Sequence, residues 1–299
     1  MSDQAKYLRK LAEKNKNVGD TGFSFSRVIA VTSGKGGVGK TNFATNLAIE
    51  LAALKKKVVV FYADLGLANI DIVLGINPQF NLSHVIRGQK SLQDIIVDVP
   101  YGFKLIPASS GIAELADLSE YEMDKFINDF ELIDKDTDIL IVDTAAGIAK
   151  NVLNFVLASK EVMLVTTKEP TAITDAYALI KVLATHKKKI DIKLIINMCE
   201  TEKEAKIIAD KLIAVSKRFL DVDIHYFGFI FRDKFVSQAV LKRKPLVKVF
   251  PNSMAAKSIR QLSLQVARGE TDKKEQESFF KRLKNFLTQE NLNIRDSDK

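Results

Sequence analysis

The sequence predicts an α/β fold in which helices cover both faces of a doubly wound, mostly parallel sheet. Its apolar runs are rich in β-branched residues and are apolar throughout, which is typical of parallel strands buried on both faces. Segments with helical spacing separate these runs, and this regular alternation predicts one doubly wound domain over residues 28–268. The first run ends in a cluster of glycines that leads directly into a helical segment. The glycine cluster is therefore the place to look for a site.

Strands and helices alternate along the chain in the order expected for this fold. Apolar runs predict a strand that begins at residue 28 and further strands at residues 57–63, 103–107, 138–143, 161–166, 192–198 and 224–231. Helical spacing predicts helices at residues 43–54, 69–74, 82–87, 91–96, 120–133, 148–157, 171–186, 202–219, 234–241 and 253–266.

Short segments at both ends lie outside the predicted domain. Residues 1–17 predict an amphipathic helix, because apolar residues recur near helical spacing among basic ones. Residues 18–27 contain two glycines and predict a linker. Residues 269–299 predict a second amphipathic helix followed by a tail.

Composition narrows the class of protein. The apolar fraction of 46% and the charged fraction of 27% are ordinary for a globular domain, and 299 residues can bury a full core. The net charge of +8 favours anionic partners such as acidic lipid or nucleic acid. Cys199 is the single cysteine, so an intramolecular disulfide is excluded. With no signal-peptide pattern and no long uncharged apolar run, we expect a cytoplasmic protein.

The glycine cluster matches the phosphate-binding pattern G-x-x-x-x-G-K-[ST] from Gly34 to Thr41. Glycines let the backbone amides wrap around an anion, and the helix that follows adds its positive N-terminal dipole. We expect Lys40 to reach the β- and γ-phosphates of a nucleotide and the Thr41 hydroxyl to ligate Mg²⁺. The alternative is a glycine-rich turn that binds nothing.

Lys35 adds a second lysine directly after the first glycine. The pattern K-G-G-x-G-K-T resembles the deviant Walker A motif of the MinD and ParA family of ATPases. In that family the early lysine contacts phosphates bound by the other subunit, so the resemblance implies a homodimer that forms around ATP. The alternative is a solvated loop lysine. Related reductases that hold an iron–sulfur cluster through two cysteines per subunit are excluded, because Cys199 stands alone.

Two acids follow predicted strands. Asp143 closes the apolar run Ile139-Leu-Ile-Val in the manner of a Walker B acid and is expected to orient Mg²⁺, unless it is only a strand-end turn residue. Asp64 lies in D-x-G-x-x-N, which resembles switch I of the family, where the acid positions the attacking water. The resemblance therefore implies catalytic roles for Lys35, Lys40 and Asp64 and a metal site at Thr41, Asp64 and Asp143.

The same resemblance implies further nucleotide contacts. Gly147 matches the switch II glycine, or is an ordinary loop glycine, and Asn197 stands where the family reads adenine, or is an ordinary strand-end asparagine. Phe231 replaces a proline common in relatives, which leaves the contacts of the two residues after it open. The expected nucleotide-binding set is Gly34, Lys35, Gly36, Gly37, Val38, Gly39, Lys40, Thr41, Asn42, Gly147, Asn197, Arg232 and Asp233.

The N-terminus carries Asp3-Gln-Ala-Lys-Tyr-Leu-Arg9, which matches D-Q-A-x-x-L-R of the flagellar MinD-like ATPases, the FlhG type, also called YlxH or FleN. In that type the N-terminal helix stimulates the GTPase FlhF. The resemblance implies that Gln4, Leu8 and Arg9 bind an FlhF-type GTPase, with Gln4 helping to orient water. The alternative is a frayed basic terminus.

The C-terminal helix presents one apolar face with basic residues beside it. This pattern is typical of a helix that lies in the plane of an anionic membrane, and it is similar to the targeting helix of MinD. The alternative is a helix that packs on its own domain, in one nucleotide state or always. The expected membrane residues are Phe279, Phe280, Leu283, Phe286 and Leu287.

Together these resemblances imply a slow, Mg²⁺-dependent ATPase that acts as a switch in flagellar number and placement. Its expected partners are a second copy with ATP, an FlhF-type GTPase, flagellar switch (C-ring) components and the inner face of the cell membrane, with DNA unlikely. One alternative is a ParA-like ATPase that segregates DNA or positions another cargo. Another is a structural adaptor that binds nucleotide without hydrolysing it.

Overall fold

The computed structural model describes residues 26–64, 73–108, 111–115, 118–186, 190–269 and 278–287. The predicted N-terminal helix, with Gln4, Leu8 and Arg9, lies outside these ranges, as do most of the predicted linker, the residues directly after Asp64 and the tail. The predictions for those segments are therefore untested by the structure.

One eight-stranded sheet forms the centre of the described part. In chain order its strands are β1 (Arg27–Thr32), β2 (Val58–Ala63), β3 (Val97–Val99), β4 (Phe103–Pro107), β5 (Ile139–Thr144), β6 (Glu161–Thr167), β7 (Asp191–Cys199) and β8 (Ile224–Phe231). The spatial order is β3-β4-β2-β5-β1-β6-β7-β8, and only the β3–β4 pair is antiparallel. The predicted doubly wound, mostly parallel sheet is confirmed.

Helices cover both faces of this sheet. In chain order they are α1 (Lys40–Ala53), α2 (Leu82–Ile86), α3 (Leu92–Ile95), α4 (Gly111–Leu115), α5 (Glu120–Asp134), α6 (Lys150–Ser159), α7 (Pro170–Thr185), α8 (Glu202–Leu220), α9 (Lys234–Leu241), α10 (Leu246–Val249), α11 (Met254–Arg268) and a last helix, α12, at residues 279–287. Side-chain caps define several starts; at α5, for example, Ser119 accepts from the Glu122 amide. None of the helices in the described ranges combines the length and the apolar composition needed to cross a bilayer.

Alternate residues of the strands are buried on the two faces of the sheet. Ile29 and Val31 of β1 pack with α1 and α11 on one face, whereas Val28 and Ala30 pack with α5 to α8 on the other. Because neighbours in a parallel sheet keep this alternation, both faces are buried and every central strand is apolar throughout. The carboxyl ends of β1, β2 and β5 meet at one edge, since the three strands are adjacent.

Three short elements were not predicted. The edge strand β3 has only three residues, and Asp98 at its centre is exposed, so no apolar run announces it. The single-turn helices α4 and α10 are too short for a periodic signal. The antiparallel pairing of β3 follows from its direct, short connection to β4, which leaves no room for a crossover helix.

Arg27 joins the start of the sheet domain to its end. Its guanidinium donates to both carboxylate oxygens of Glu161 at 2.8 and 2.7 Å, and also to the carbonyls of Val266 and Gly269 at 2.6 and 3.1 Å. Burial opposes ionisation of Glu161, but Arg27 and Lys193 outweigh it and hold the pKa of that carboxyl below its usual value. The last residues of the predicted linker, Ser26 and Arg27, are thus part of the domain, and Gly269 is held where the C-terminal segment leaves it.

The C-terminal helix α12 packs on its own domain in this structure. Phe280 lies 3.7 Å from Phe130 and 6.0 Å from Phe61, and Phe279 lies 6.3 Å from Phe155, all between ring centroids. The residues predicted to contact membrane share this core: Phe279, Phe280, Leu283 and Leu287 are buried, and Phe286 is partly buried against it.

Polar contacts complete the docking of α12. The Arg282 side chain is buried and donates to the Ala158 carbonyl at 2.7 Å, Lys281 pairs with Glu131 at 3.1 Å, and Lys284 pairs with Asp124. The prediction of membrane contact therefore does not describe this conformation. An apolar face flanked by cations satisfies a groove edged with acids as well as it satisfies an anionic membrane, and here it fills the groove between α5 and α6.

Candidate nucleotide-binding site

The loop between β1 and α1 is held in a shape that only glycine permits. A Cβ on Gly34 would lie 2.2 Å from the carbonyl carbon of Asp175 in α7, so the loop backbone must pass directly against that helix. Gly39, the residue before α1, has φ of 90°, and a Cβ there would lie 2.4 Å from Asn197 Nδ2. The loop amides of a P-loop point toward the space at the helix N-terminus, which suits a phosphate chain.

Three of the predicted side chains converge on Lys40. Its Nζ lies 3.0 Å from Asp143 Oδ1, 3.6 Å from Asp64 Oδ2 and 3.5 Å from Thr41 Oγ1. The side chains of Lys40 and Asp143 are only 7% and 1% exposed. This convergence follows from the sheet order, because β2, β5 and β1 end side by side with the acids at the ends of β2 and β5.

The Asp143 carboxylate has the properties of a metal-orienting group. One oxygen meets Lys40, whereas Oδ2 is buried and has no hydrogen-bond partner among the described residues. Burial raises the pKa of the carboxyl, while the Lys40 ammonium and the Thr41 hydroxyl oppose that shift. A buried carboxylate oxygen left unpartnered beside a hydroxyl and a second acid fits hydrated Mg²⁺, which takes oxygen ligands and retains waters. Thr41, Asp64 and Asp143 are therefore the residues that would hold it, and the metal would supply positive charge to the phosphates.

A cavity of about 400 Å³ opens beside the glycine loop and is suited to a base. Gly39, Phe43 and Asn197 form one side of it, and the end of β8 and the start of α9 form the other. Phe231, which replaces the proline common in relatives, lines it as well, with four apolar side chains that the motif analysis did not single out: Met198, Ile230, Val236 and Ile259.

Asn197 is turned toward the glycine loop. Its Nδ2 donates to the Val38 carbonyl at 2.7 Å, and its Oδ1 accepts from the Met198 amide at 2.8 Å. The β7–β8 register shifts between Ile196 and Cys199, and Met198 adopts φ of 59°. This bulge re-aims the side chain across the sheet edge. One amide hydrogen and one oxygen lone pair remain for a base, so adenine contact stays a prediction, and holding the loop is a role that the sequence did not reveal.

The two residues after β8, Arg232 and Asp233, have different roles in the structure. Asp233 Oδ1 accepts from the Phe235 amide at 3.0 Å and Oδ2 from the Ala255 amide at 3.2 Å, so its carboxylate caps α9 and ties it to α11. Arg232 is exposed at the rim of the cavity, 3.7 Å from Glu200. Asp233 therefore positions the cavity wall, and Arg232 is the one of the pair free to reach a nucleotide.

Gly147 and Lys35 already have partners within the chain. Gly147 has φ of 97° and donates its amide to the Ser33 carbonyl at 2.8 Å. Contact between this amide and a γ-phosphate requires that hydrogen bond to be exchanged. Lys35 Nζ lies 2.7 Å from Thr171 Oγ1 and 3.1 Å from Glu169 Oε2, at the start of α7 and at the surface, away from the Lys40 cluster.

Fold and site together define the class of this protein as a P-loop nucleotide hydrolase with a second lysine in its phosphate-binding loop. A family model described as "AAA domain" matches residues 26–196. The antiactivator FleN of Pseudomonas aeruginosa is 43% identical over 80% of this chain and 86% of its own length. The flagellum site-determining protein YlxH of Helicobacter pylori is 39% identical over 96% of this chain and 100% of its own.

Solved structures of MinD proteins have a similar fold. MinD in the MinC:MinD cell division protein complex of Aquifex aeolicus has a TM-score of 0.65 and 26% identity, covering 82% of this chain and 97% of that one. MinD of Pyrococcus horikoshii, solved with Mg-ADP, shares the fold at a TM-score of 0.65 and 24% identity, over 81% of this chain and 96% of its own. The chain belongs to the MinD/ParA-type ATPases and is most like their flagellar members, FleN and YlxH. The predicted ATPase activity is thereby confirmed at the level of the family.

Replacing Lys40 by alanine should affect both stability and nucleotide binding. The change leaves the buried Asp143 carboxylate without its counter-charge, and we expect this to lower the free energy of unfolding by about 3 kcal/mol. Because the pKa of an unpaired buried acid lies above its unfolded value, the loss should grow as the pH rises from about 4 to 7. Urea denaturation across this pH range measures it.

A double variant separates the two effects. Lys40→Ala with Asp143→Asn removes the fully buried charge and leaves only Asp64, whose side chain is 19% exposed to water. Most of the lost stability should therefore return, while ATP binding, followed by titration calorimetry, stays lost. ATP binding of wild-type strength in either variant would contradict the assignment of Lys40 to the phosphates.

Proposed function

We propose that this protein is an ATP-controlled switch that governs flagellar number and placement. Its likeness to FleN and YlxH extends over most of each chain, which supports a flagellar role. In this proposal ATP brings two copies together, the pair binds the inner face of the cell membrane, and hydrolysis releases it. The observation that carries the proposal is the docking of α12 on the two elements that lead to the nucleotide-sensing loops.

That docking supports a mechanical link between nucleotide and membrane. Phe61 in β2 lies three residues before Asp64, and Phe155 in α6 follows the loop that contains Gly147. Both rings pack against α12, and against each other at 5.6 Å between centroids. A shift of either loop on ATP binding therefore alters the groove that holds α12, because packed cores resist gradual deformation. Release of the helix exposes an apolar face of the kind that binds membrane.

Lys35 supports an ATP-bound homodimer. It lies at the surface with its ammonium shared between a glutamate and a threonine, so it is available to move to a phosphate of a second copy. A lysine that reaches across the interface leaves binding within its own subunit intact.

We expect Lys35→Ala to bind ATP but to lose ATP-dependent dimerisation in light scattering. Lys168→Ala is the matched control. The Lys168 side chain is 36% exposed, against 37% for Lys35, and it pairs with Glu204. Lys168 also lies near the start of α7, where Lys35 has its contacts. The control should dimerise like the wild type. A Lys35→Ala variant that still forms the ATP dimer would refute the cross-subunit role.

Reversing the acids that hold α12 tests the membrane step without altering the helix itself. In Asp124→Lys with Glu131→Lys, attraction to Lys284 and Lys281 becomes repulsion, so the helix should undock even with ADP. Sedimentation with phosphatidylserine-containing vesicles in ADP should rise by about tenfold. The control, Glu202→Lys with Asp210→Lys, makes the same charge change at two exposed positions of α8. Equal binding by both variants would show that added charge, and not release, is responsible.

The N-terminal motif supports an FlhF-type GTPase as the partner, with Gln4 orienting water or catalytic groups and Arg9 meeting acidic surface. A peptide of residues 1–20 should stimulate GTP hydrolysis by such a GTPase. Gln4→Ala should remove most of the stimulation, whereas Arg9→Ala should mainly weaken binding. A peptide that binds the GTP-loaded partner but leaves its hydrolysis rate unchanged would remove this part of the proposal. Contact with C-ring components remains a further proposal from the same likeness.

A further inference from the structure

Residues 232–260 carry an unusual excess of positive charge. Asp233 is the single acid in this range, and both its oxygens accept backbone amides, as described above. Within the described part of the chain, six exposed cations of this range form no ion pair: Lys234, Lys242, Arg243, Lys244, Lys248 and Lys257. Elsewhere on the surface many lysines are paired with acids, as Lys217 is with Asp221. Unpaired cations of one sign repel one another, so an anionic partner would stabilise this surface.

The centre of this surface is the turn at residues 241–244, which we name the basic turn. Leu241 at its start is 84% exposed, more than any other large apolar side chain in the described residues. Lys242, Arg243 and Lys244 follow it directly. An apolar side chain in water beside three cations costs free energy unless something apolar covers it.

The backbone of the basic turn is well defined. The Arg243 amide donates to the Val240 carbonyl at 2.9 Å and the Lys244 amide to the Ala239 carbonyl at 3.1 Å, which is the Schellman pattern that ends a helix. Arg243 has φ of 50°, a conformation that favours glycine at this position. The helix end thus carries a charged side chain where glycine would cost less, and the buried Pro245 follows.

A basic surface with an exposed leucine fits an anionic bilayer better than a nucleic acid. Lipid phosphates and carboxylates meet the cations, and the leucine enters the boundary between headgroups and acyl chains. A duplex backbone offers anions alone and leaves Leu241 in water. We propose that the basic turn and its neighbouring lysines form a second membrane contact, separate from α12. It belongs to the face covered by α1 and α11, whereas α12 docks on the opposite face.

The two membrane contacts predict different nucleotide dependence. The basic turn is exposed while α12 is docked, so it should bind phosphatidylserine vesicles in ADP as well as in ATP, and salt should weaken this binding. The release on hydrolysis in the proposed function then concerns the α12 contact, and this second contact remains as a weaker one. Binding through α12 should depend on ATP. Failure of one proposal can therefore be told from failure of the other in a single assay, sedimentation of the full chain with phosphatidylcholine vesicles with and without phosphatidylserine.

The decisive variant is Lys242→Gln, Arg243→Gly and Lys244→Gln together. Glycine relieves the strained conformation at residue 243, so the fold should keep its melting temperature or gain slightly. Each cation near an anionic surface contributes about fivefold to partitioning, so the binding constant in ADP should fall by about a hundredfold. Leu241→Ser should also weaken vesicle binding without changing the net charge.

The control removes three exposed cations from α8, on the opposite face of the sheet: Lys203→Gln, Lys206→Gln and Lys211→Gln. It should leave vesicle binding in ADP unchanged. An equal loss in the control would reduce the effect to bulk charge. Vesicle binding that survives in the triple variant, or binding of duplex DNA by the wild type with no binding of vesicles, would overturn the proposal.

Discussion

The buried pair of Lys40 and Asp143 is the interaction on which the site depends. A lysine and an aspartate that are almost fully desolvated lower the free energy of the fold only while each neutralises the other. A phosphate chain at the helix N-terminus competes for the same ammonium. If Lys40 turned toward bound phosphates, Asp143 would lose its counter-charge, and a hydrated metal ion would replace it. Nucleotide and metal would then neutralise two charges that neutralise each other in the protein alone, so binding of the two should be cooperative.

The aromatic cluster beneath α12 extends this coupling away from the site. Phe61, Phe130, Phe155 and Phe280 come from one strand, β2, and three helices, α5, α6 and α12. The helix α6 follows the loop that contains Gly147. Aromatic rings pack with directional preferences, so a small shift of one ring is felt by its neighbours. The groove for α12 is therefore part of the same packed core that supports the acids of the site.

Much of this molecule could be predicted because its signals are local. Seven strands are visible as mainly apolar runs, and the glycine loop is fixed in place by one strand and one helix that adjoin it in sequence. The convergence of Lys40, Asp64 and Asp143 followed from the rule that parallel strands end at a common edge. Contacts between residues that are distant in the sequence were harder to predict. Asn197 bonds to Val38 because of a bulge that no residue pattern announces, and the capping role of Asp233 depends on α11 lying beside α9.

The C-terminal helix shows the same limit from another side. A basic amphipathic helix has one sequence pattern whether its apolar face meets lipid or a protein groove, because both environments are apolar and edged with anions. The contacts that favour the groove here come from residues distant in sequence, among them the acids at positions 124 and 131 and the Ala158 carbonyl. The periodicity of the sequence shows which face of a helix is buried, but not whether lipid or protein covers that face.

The hydrogen bond from Arg27 to Gly269 limits how far α12 can move from its domain. Arg27 holds Gly269 to the sheet, and only nine residues, 270–278, separate that point from the start of α12. Fully extended, such a connection spans about 30 Å. A helix on so short a connection stays at a high local concentration near its own groove, so the groove would compete with a membrane for the same apolar face. The return of α12 to its own groove would then drive detachment from the membrane. The rate of this step would be set by the length of the connection and would not depend on how much protein the cell contains.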